Sequence, residues 1–326
     1  MPERLYDFKP ADELAEELRP FYVGYLDELR TALTLAYLNL SAGKPYKFLL
    51  FGPPGTGKSR FAWVLAYELL RAGLKPSVLF VPCSTYSSRY RPNECRDQLE
   101  DVRVHRIESA HNPIIVVFDE VDSVAGDRVT HPTSSLVAHW TLDTIRWSEK
   151  TPGPRLVIST CNYPDAMDRA ILTEMGPGIY LPPPSDEQYI AILREGGVEH
   201  AREVLDAYSA LCSANGAAYT GRSIKKVLDE TKATFKEDWD SLSEDQIAEH
   251  LYANCGLLPA GYLEDYERKN SWTIGSARML VKVVRPRFHA LISEGKLKEV
   301  VDSEPTLAAP PLAEAVADAP TRGGAA

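Results

Sequence analysis

Residues 52–59 read Gly52-Pro53-Pro54-Gly55-Thr56-Gly57-Lys58-Ser59 and follow the apolar run Phe48–Phe51 directly. Glycines let a backbone curl until successive N–H groups point at one place. A helix that begins where such a loop ends turns its positive end toward that same place. The closing Lys-Ser completes a phosphate cradle, in which Lys58 reaches the β- and γ-phosphates of ATP and the Ser59 hydroxyl ligates Mg²⁺. A loop that merely turned the chain would need no strand before it and no Lys-Ser behind it. Strand, P-loop and helix are therefore the expectation here, with Arg60 counted among the nucleotide contacts.

A second segment complements the first. Ile114–Phe118 is wholly apolar and ends in Asp119-Glu120. Unpaired charge is costly to bury, so adjacent carboxylates at the end of a buried strand must face a polar crevice. Open α/β sheets bind ligands in that crevice, beyond the carboxyl ends of their strands. Asp119 is expected to hold Mg²⁺ through water, and Glu120 to orient and deprotonate the attacking water.

Further apolar runs at Val78–Val81, Leu156–Ile158 and Ile179–Leu181 leave room for helices between them. Such alternation implies an α/β fold, a five-stranded parallel sheet with helices on both faces. Pro182-Pro183-Pro184 ends the pattern, and residues 185–301 show helical candidates but no clear strand. Among them Ser243 and Gln246 form a capping box ahead of Ile247 and Leu251. The expected divisions are an N-terminal helical segment (1–44), the sheet domain (45–184), a small all-helical lid (185–301) and a disordered Ala/Pro-rich tail (302–326). Within the first, residues 11–42 read as helix, with Pro20 in a first turn and Tyr22, Leu26, Leu29 and Leu33 facing the core.

The net charge of −10 argues against a broad electrostatic grip on nucleic acid or anionic lipid. Cys83, Cys95, Cys161, Cys212 and Cys255 are scattered without a CxxC pair, which reads as reduced thiols, neither a disulfide frame nor a zinc site. The N-terminus carries no signal-like stretch and no run is long enough to span a bilayer. A cytoplasmic protein with no membrane contact is expected.

The two motifs and the text beyond them resemble the AAA+ ATPases. Asp119-Glu-Val-Asp-Ser-Val-Ala-Gly-Asp-Arg128 is similar to the stretch after the acidic pair in katanin- and spastin-like members. Leu156-Val-Ile-Ser-Thr-Cys-Asn162-Tyr-Pro-Asp resembles the sensor 1 strand. That resemblance implies a strand between the two motif strands, with the Asn162 amide on the γ-phosphate or the attacking water, beside Lys58 and Glu120 in the catalytic set. Tyr219-Thr-Gly-Arg222 resembles the start of the sensor 2 helix, which implies that Arg222 reaches the γ-phosphate from the lid. Arg89-Tyr90-Arg91 falls where remodelling members carry a pore loop, implying an aromatic grip on extended polypeptide. Within the family the nearest resemblance is to the pachytene-checkpoint remodellers of HORMA-domain proteins. It rests on the insertion before Val78, the segment Ala170–Ser185 and the Thr-Gly-Arg of the sensor 2 stretch.

One departure stands out. The positions where AAA+ proteins carry an arginine finger fall on Thr173 and Gly176, and neither supplies a cation. Arg146, Arg155 and Arg169 are the candidate substitutes. Three functions follow, in this order: a remodelling ATPase working as a homohexameric ring on a protein client, a HORMA-domain protein being the suspected one; a nucleic-acid-handling loader or translocase, supported by Arg89, Arg91, Arg96, Arg103, His105 and Arg106; and a slow nucleotide-gated scaffold.

Overall fold

The computed structural model describes residues 7–84, 97, 100, 113–124, 142–146, 153–221, 224–235, 239 and 241–303. Its central sheet contains β1 (Asp7–Lys9), β2 (Tyr46–Phe51), β3 (Ser77–Pro82), β4 (Ile114–Asp119), β5 (Arg155–Cys161) and β6 (Gly178–Tyr180), in the order β1-β3-β4-β5-β2-β6. The last five run parallel, as the apolar runs predict. β1 adds an antiparallel edge, pairing Phe8 with Leu79. β4 and β5 sit in the middle, and all seven residues of β5 are buried, which is why Leu156, Val157 and Ile158 run apolar without alternation.

The two faces of the sheet have separate cores. Phe48, Leu50, Ile115, Val117, Leu156 and Ile158 face α1 (Leu26–Ser41) and α2 (Lys58–Arg71), while Leu49, Phe51, Val116, Phe118 and Val157 point to the opposite side. Burying each such side chain contributes about 1.5–3 kcal/mol. After α3 (Arg169–Glu174) and the edge strand β6, the chain enters the lid: α4 (Asp186–Glu195), α5 (Ala201–Ala214), α6 (Ile224–Phe235) and α7 (Glu244–Asn254). These four share a core of their own around Tyr208, Leu228 and Leu251. The Ser243–Gln246 capping box forms as expected, with Gln246 N donating to Ser243 Oγ at 3.3 Å and Ser243 N donating to Gln246 Oε1 at 2.9 Å.

Three expectations need correction. Residues 11–42 are not one helix: helical turns at Ala11–Glu13 and Glu16–Leu18 precede α1, which begins only at Leu26. Pro20 is therefore outside it, and Gly24 and Tyr25 enter it in left-handed conformation. Tyr22, Leu29 and Leu33 are nevertheless buried, as their spacing predicts.

The stretch 185–301 holds a short antiparallel pair, β7 (Ala217–Ala218) with β8 (Leu258–Pro259). Its last helices, α8 (Tyr262–Lys269) and α9 (Ser271–Ser293), also leave the lid. Tyr266, Ile274 and Ala277 join one face of the sheet, and Phe288 and Leu291 join the other. α9 thus runs along the β6 edge and shields it, a helix covering an otherwise open strand. Finally, the segment after α9 packs back on the sheet domain, where Leu297 and Val300 are buried in the core shared with α1. No described helix is long and apolar enough to cross a membrane. Among the described cysteines Cys83, Cys161, Cys212 and Cys255 are free and buried.

Candidate nucleotide site

The phosphate cradle lies where β2 gives way to α2. Gly57 takes φ +81° as the N-terminal cap of α2, a conformation that suits a residue without Cβ. Lys58 opens the helix and folds back under the loop, its Nζ donating to Gly52 O at 2.8 Å and Pro53 O at 2.9 Å. The side chain is buried, and burial pulls its ammonium down to about 8 from the ordinary 10.5, against the opposing pull of Cys161, Asp122, Asp119 and Glu120. A cation kept in that depressed state is an anchor for added negative charge.

β4 brings the acidic pair alongside. Ser59 Oγ lies 2.9 and 3.0 Å from the two carboxylate oxygens of Asp119. A hydroxyl against a carboxylate is an all-oxygen donor set, which fits Mg²⁺ bound with substrate phosphates and water. Burial raises the Asp119 pKa, while hydrogen bonds from Thr160 and Ser59 lower it. Glu120 turns out of the strand in left-handed conformation (φ 54°, ψ 51°). Such a conformation costs a non-glycine residue of order 1–3 kcal/mol and marks sites where geometry is imposed. Thr160 of β5 imposes part of it, accepting from Glu120 N at 2.9 Å while donating to Asp119 Oδ1 at 2.6 Å.

Asn162 follows β5, and the sheet order puts that strand between β4 and β2, where the resemblance places it. The peptide N–H groups of Asn162 and Tyr163 both donate to Asp122 Oδ2 at 3.2 Å, so the turn bearing Asn162 is tied to the turn bearing Glu120. Burial raises the Asp122 pKa. Lys58, Ser59, Asp119, Glu120 and Asn162 are thus gathered at three neighbouring strand ends. Thr160 and Asp122, which hold them, escape sequence reasoning. Both stand in the quoted motifs, but nothing in their residue types says that they hold the neighbouring groups.

Beside the P-loop opens a cleft of ≈ 620 Å³, counted to its mouth. Tyr22 and Tyr25 wall it from the linker before α1, Gly55 and Arg60 from the P-loop and α2, and Gln188 and Glu195 from the lid. Burial pulls Arg60 below the ordinary arginine value, and Glu195 opposes that pull. Glu195 Oε1 pairs with Lys225 at 2.6 Å, whereas its buried Oε2 meets no hydrogen-bond partner among the described residues. The sequence reading gave Arg60 to the nucleotide and Tyr22 to the core, and named neither Tyr25, Gln188 nor Glu195.

Arg222 and the pore-loop residues Arg89, Tyr90 and Arg91 lie outside the described residues, as does the Arg89–Arg106 basic cluster. At the finger positions, Thr173 spends its hydroxyl on Arg169 O, and a Cβ on Gly176 would sit 2.7 Å from Lys47 O. No arginine could replace that glycine without moving backbone. Of the substitutes, Arg155 is buried at the far end of β5 and Arg146 bonds Glu174 at 3.0 Å; Arg169 is exposed at the start of α3.

Residues 48–183 match the family model described as "ATPase family associated with various cellular activities (AAA)". The chain is 26% identical to the 26S proteasome regulatory subunit S10B homolog B of Arabidopsis thaliana over 216 residues, 62% of this chain and 52% of that protein. It spans about half, or less, of the length of the first curated relatives it matches. In fold it is similar to the structure titled for katanin self-assembly, with a TM-score of 0.55 at 16% identity over 82% of this chain and 93% of that one. The Escherichia coli MS115-1 HORMA:CdnC:Trip13 complex gives a TM-score of 0.53 at 16% identity over 78% of this chain and 96% of the matched chain.

Proposed function

We propose that the chain is an ATPase that couples hydrolysis of Mg-ATP to the remodelling of a protein client, a reading supported by the match of residues 48–183 to the AAA family model. The observation that carries this is the convergence of Lys58, Ser59, Asp119 and Glu120 at adjacent strand ends, with Ser59 Oγ 2.9 Å from Asp119. Lys58 meets the charge of the triphosphate. Ser59 and Asp119 would hold Mg²⁺, which when bound would supply positive charge to the phosphoryl oxygens. Glu120 accepts the proton of the attacking water, and Asn162 orients that water. The linker and lid residues of the cleft take the nucleoside.

In this reading the protein works as a cytoplasmic ring of copies, six being the number the AAA+ resemblance implies. Arg169, exposed on α3, is the cation each copy offers its neighbour in place of a finger. Arg222 senses the γ-phosphate from the lid, and Tyr90 with Arg89 and Arg91 draws on an extended client chain. A HORMA-domain protein is the favoured client. Supporting it are the Thr-Gly-Arg at residues 220–222 and the fold likeness to Trip13, which was solved in complex with HORMA and CdnC.

Phosphate release from Mg-ATP by the wild type and by Glu120→Gln tests the chemistry. The substitution should cut kcat by about 10²–10⁴-fold. Equal turnover would remove Glu120 from the mechanism, and a wild type without turnover would remove the ATPase. For remodelling, Tyr90→Ala should abolish client conversion while ATP binding persists; surviving conversion sinks the pore-loop reading.

A further inference from the structure

The linker that walls the nucleoside cleft does not hold itself. Gly24 and Tyr25 are both left-handed (φ 75° and 54°), and a Cβ on Gly24 would fall into the Gln188 amide. Glycine adopts that region freely, but Tyr25 carries a Cβ and needs outside support to stay there. It comes from residues 301–303. Asp302 Oδ1 accepts from Gly24 N at 2.5 Å. Ser303 Oγ accepts from Tyr22 N at 3.1 Å, and Ser303 N donates to Tyr22 O at 2.9 Å. Arg19 completes the clasp, donating to Ser303 Oγ and Val301 O while its Nε pairs with the buried Glu68 of α2 at 2.8 Å.

What the clasp holds reaches the nucleotide site at three points. The Tyr22 ring packs edge-on against Phe61 of α2, with centroids 5.9 Å apart. It also stands 3.8 Å from where a Cβ on Gly57 would be, against the P-loop itself. The Tyr25 hydroxyl donates to Pro182 O at 2.6 Å, in the proline hinge before the lid. Segments nearly 280 residues apart in sequence therefore meet at one wall of the cleft, with |i−j| of 278 for the Gly24–Asp302 bond.

We propose that Asp302 and Ser303 are positioning residues of the nucleotide site: they clamp the Tyr22–Tyr25 linker in the conformation that receives the nucleoside, and so set affinity for ATP without touching the phosphates. The inference rests on the cleft being the nucleoside site. It makes the chain's C-terminal segment a working part of nucleotide binding.

Calorimetry with Mg-ATP and with inorganic Mg-tripolyphosphate separates the two ideas, because tripolyphosphate has no nucleoside. Asp302→Ala/Ser303→Ala should weaken Mg-ATP about tenfold, as loss of neutral and charge-assisted hydrogen bonds implies. Its tripolyphosphate affinity should stay within about twofold, the ATPase KM should rise, and kcat at saturating ATP should hold. Asp302→Asn, which keeps an acceptor oxygen, should restore most of the affinity. Lys298→Ala, an exposed change in the same segment whose partner is Glu16, should leave binding as in the wild type. Should the double variant fail to fold, Ser303→Ala alone should still weaken Mg-ATP about threefold. Unchanged Mg-ATP affinity, or parallel loss of both ligands, overturns the clasp while leaving the nucleotide reading intact. A wild type that binds neither ligand overturns both.

Discussion

The two ends of the nucleotide cleft are built on opposite plans. At the phosphate end, β4, β5 and β2 lie side by side and deliver their functional groups in short contiguous stretches, residues 52–59, 119–122 and 160–162. At the nucleoside end, single side chains arrive from the linker, the P-loop helix and two lid helices, and the linker is pinned by residues 302–303. The first plan is rigid because parallel ladders fix its geometry. The second depends on packing between segments far apart in the chain. An anion must be met by groups preset to a fraction of an ångström, whereas a base can be enclosed by walls that close on it.

The sharpest way to break this contrast is at Asp119. Asp119→Asn keeps the shape and removes the charge, so Mg²⁺-dependent ATP turnover should fall about 100-fold. A loss under threefold would mean that the phosphate end does not govern the chemistry. Thr160→Val comes next. It removes the hydroxyl joining Asp119 to Glu120, and kcat should fall about tenfold with little change in Kd. A change in Kd alone would move Thr160 out of the hydrolytic geometry.

pH offers a smaller, graded probe. With the Lys58 ammonium at about 8 in the free protein, an incoming triphosphate raises that value, so binding takes up a proton above it. Mg-ATP affinity should be flat from pH 7 to about 8 and decline by up to tenfold over the next unit, in buffered calorimetry. An affinity that rises over that interval contradicts the assignment. The mildest effect belongs to the nucleoside end: Gln188→Ala should weaken ATP about threefold and leave tripolyphosphate unaffected. Equal loss for both ligands would erase the distinction between the two ends.

The same contrast explains what could be read from the residues alone. Lys58, Ser59, Asp119 and Glu120 were legible because backbone-wrapped phosphate sites demand fixed residue types at fixed spacing. β5 and the capping box at Ser243 were legible too, one from an unbroken apolar run and the other from a local bond pattern. Thr160, Gln188 and Glu195 were not, since each is an ordinary residue for its element and acquires its role only through neighbours distant in sequence. The helical reading of residues 11–42 failed for a related reason. Its apolar spacing reported burial correctly, but the left-handed turn at Gly24–Tyr25 is set by Gln188 and Asp302, which no local window contains. α9 was assigned to the lid by sequence adjacency, while its two apolar faces belong to the sheet.

The central claim is that Lys58 and the residues beside it form one magnesium-triphosphate site. Titrating ATP, with and without Mg²⁺, into the wild type and into Lys58→Ala addresses it most directly. Saturable, Mg²⁺-dependent binding that Lys58→Ala weakens about 100-fold is the result predicted here. Binding of equal strength in the two proteins, or none in the wild type, would contradict it.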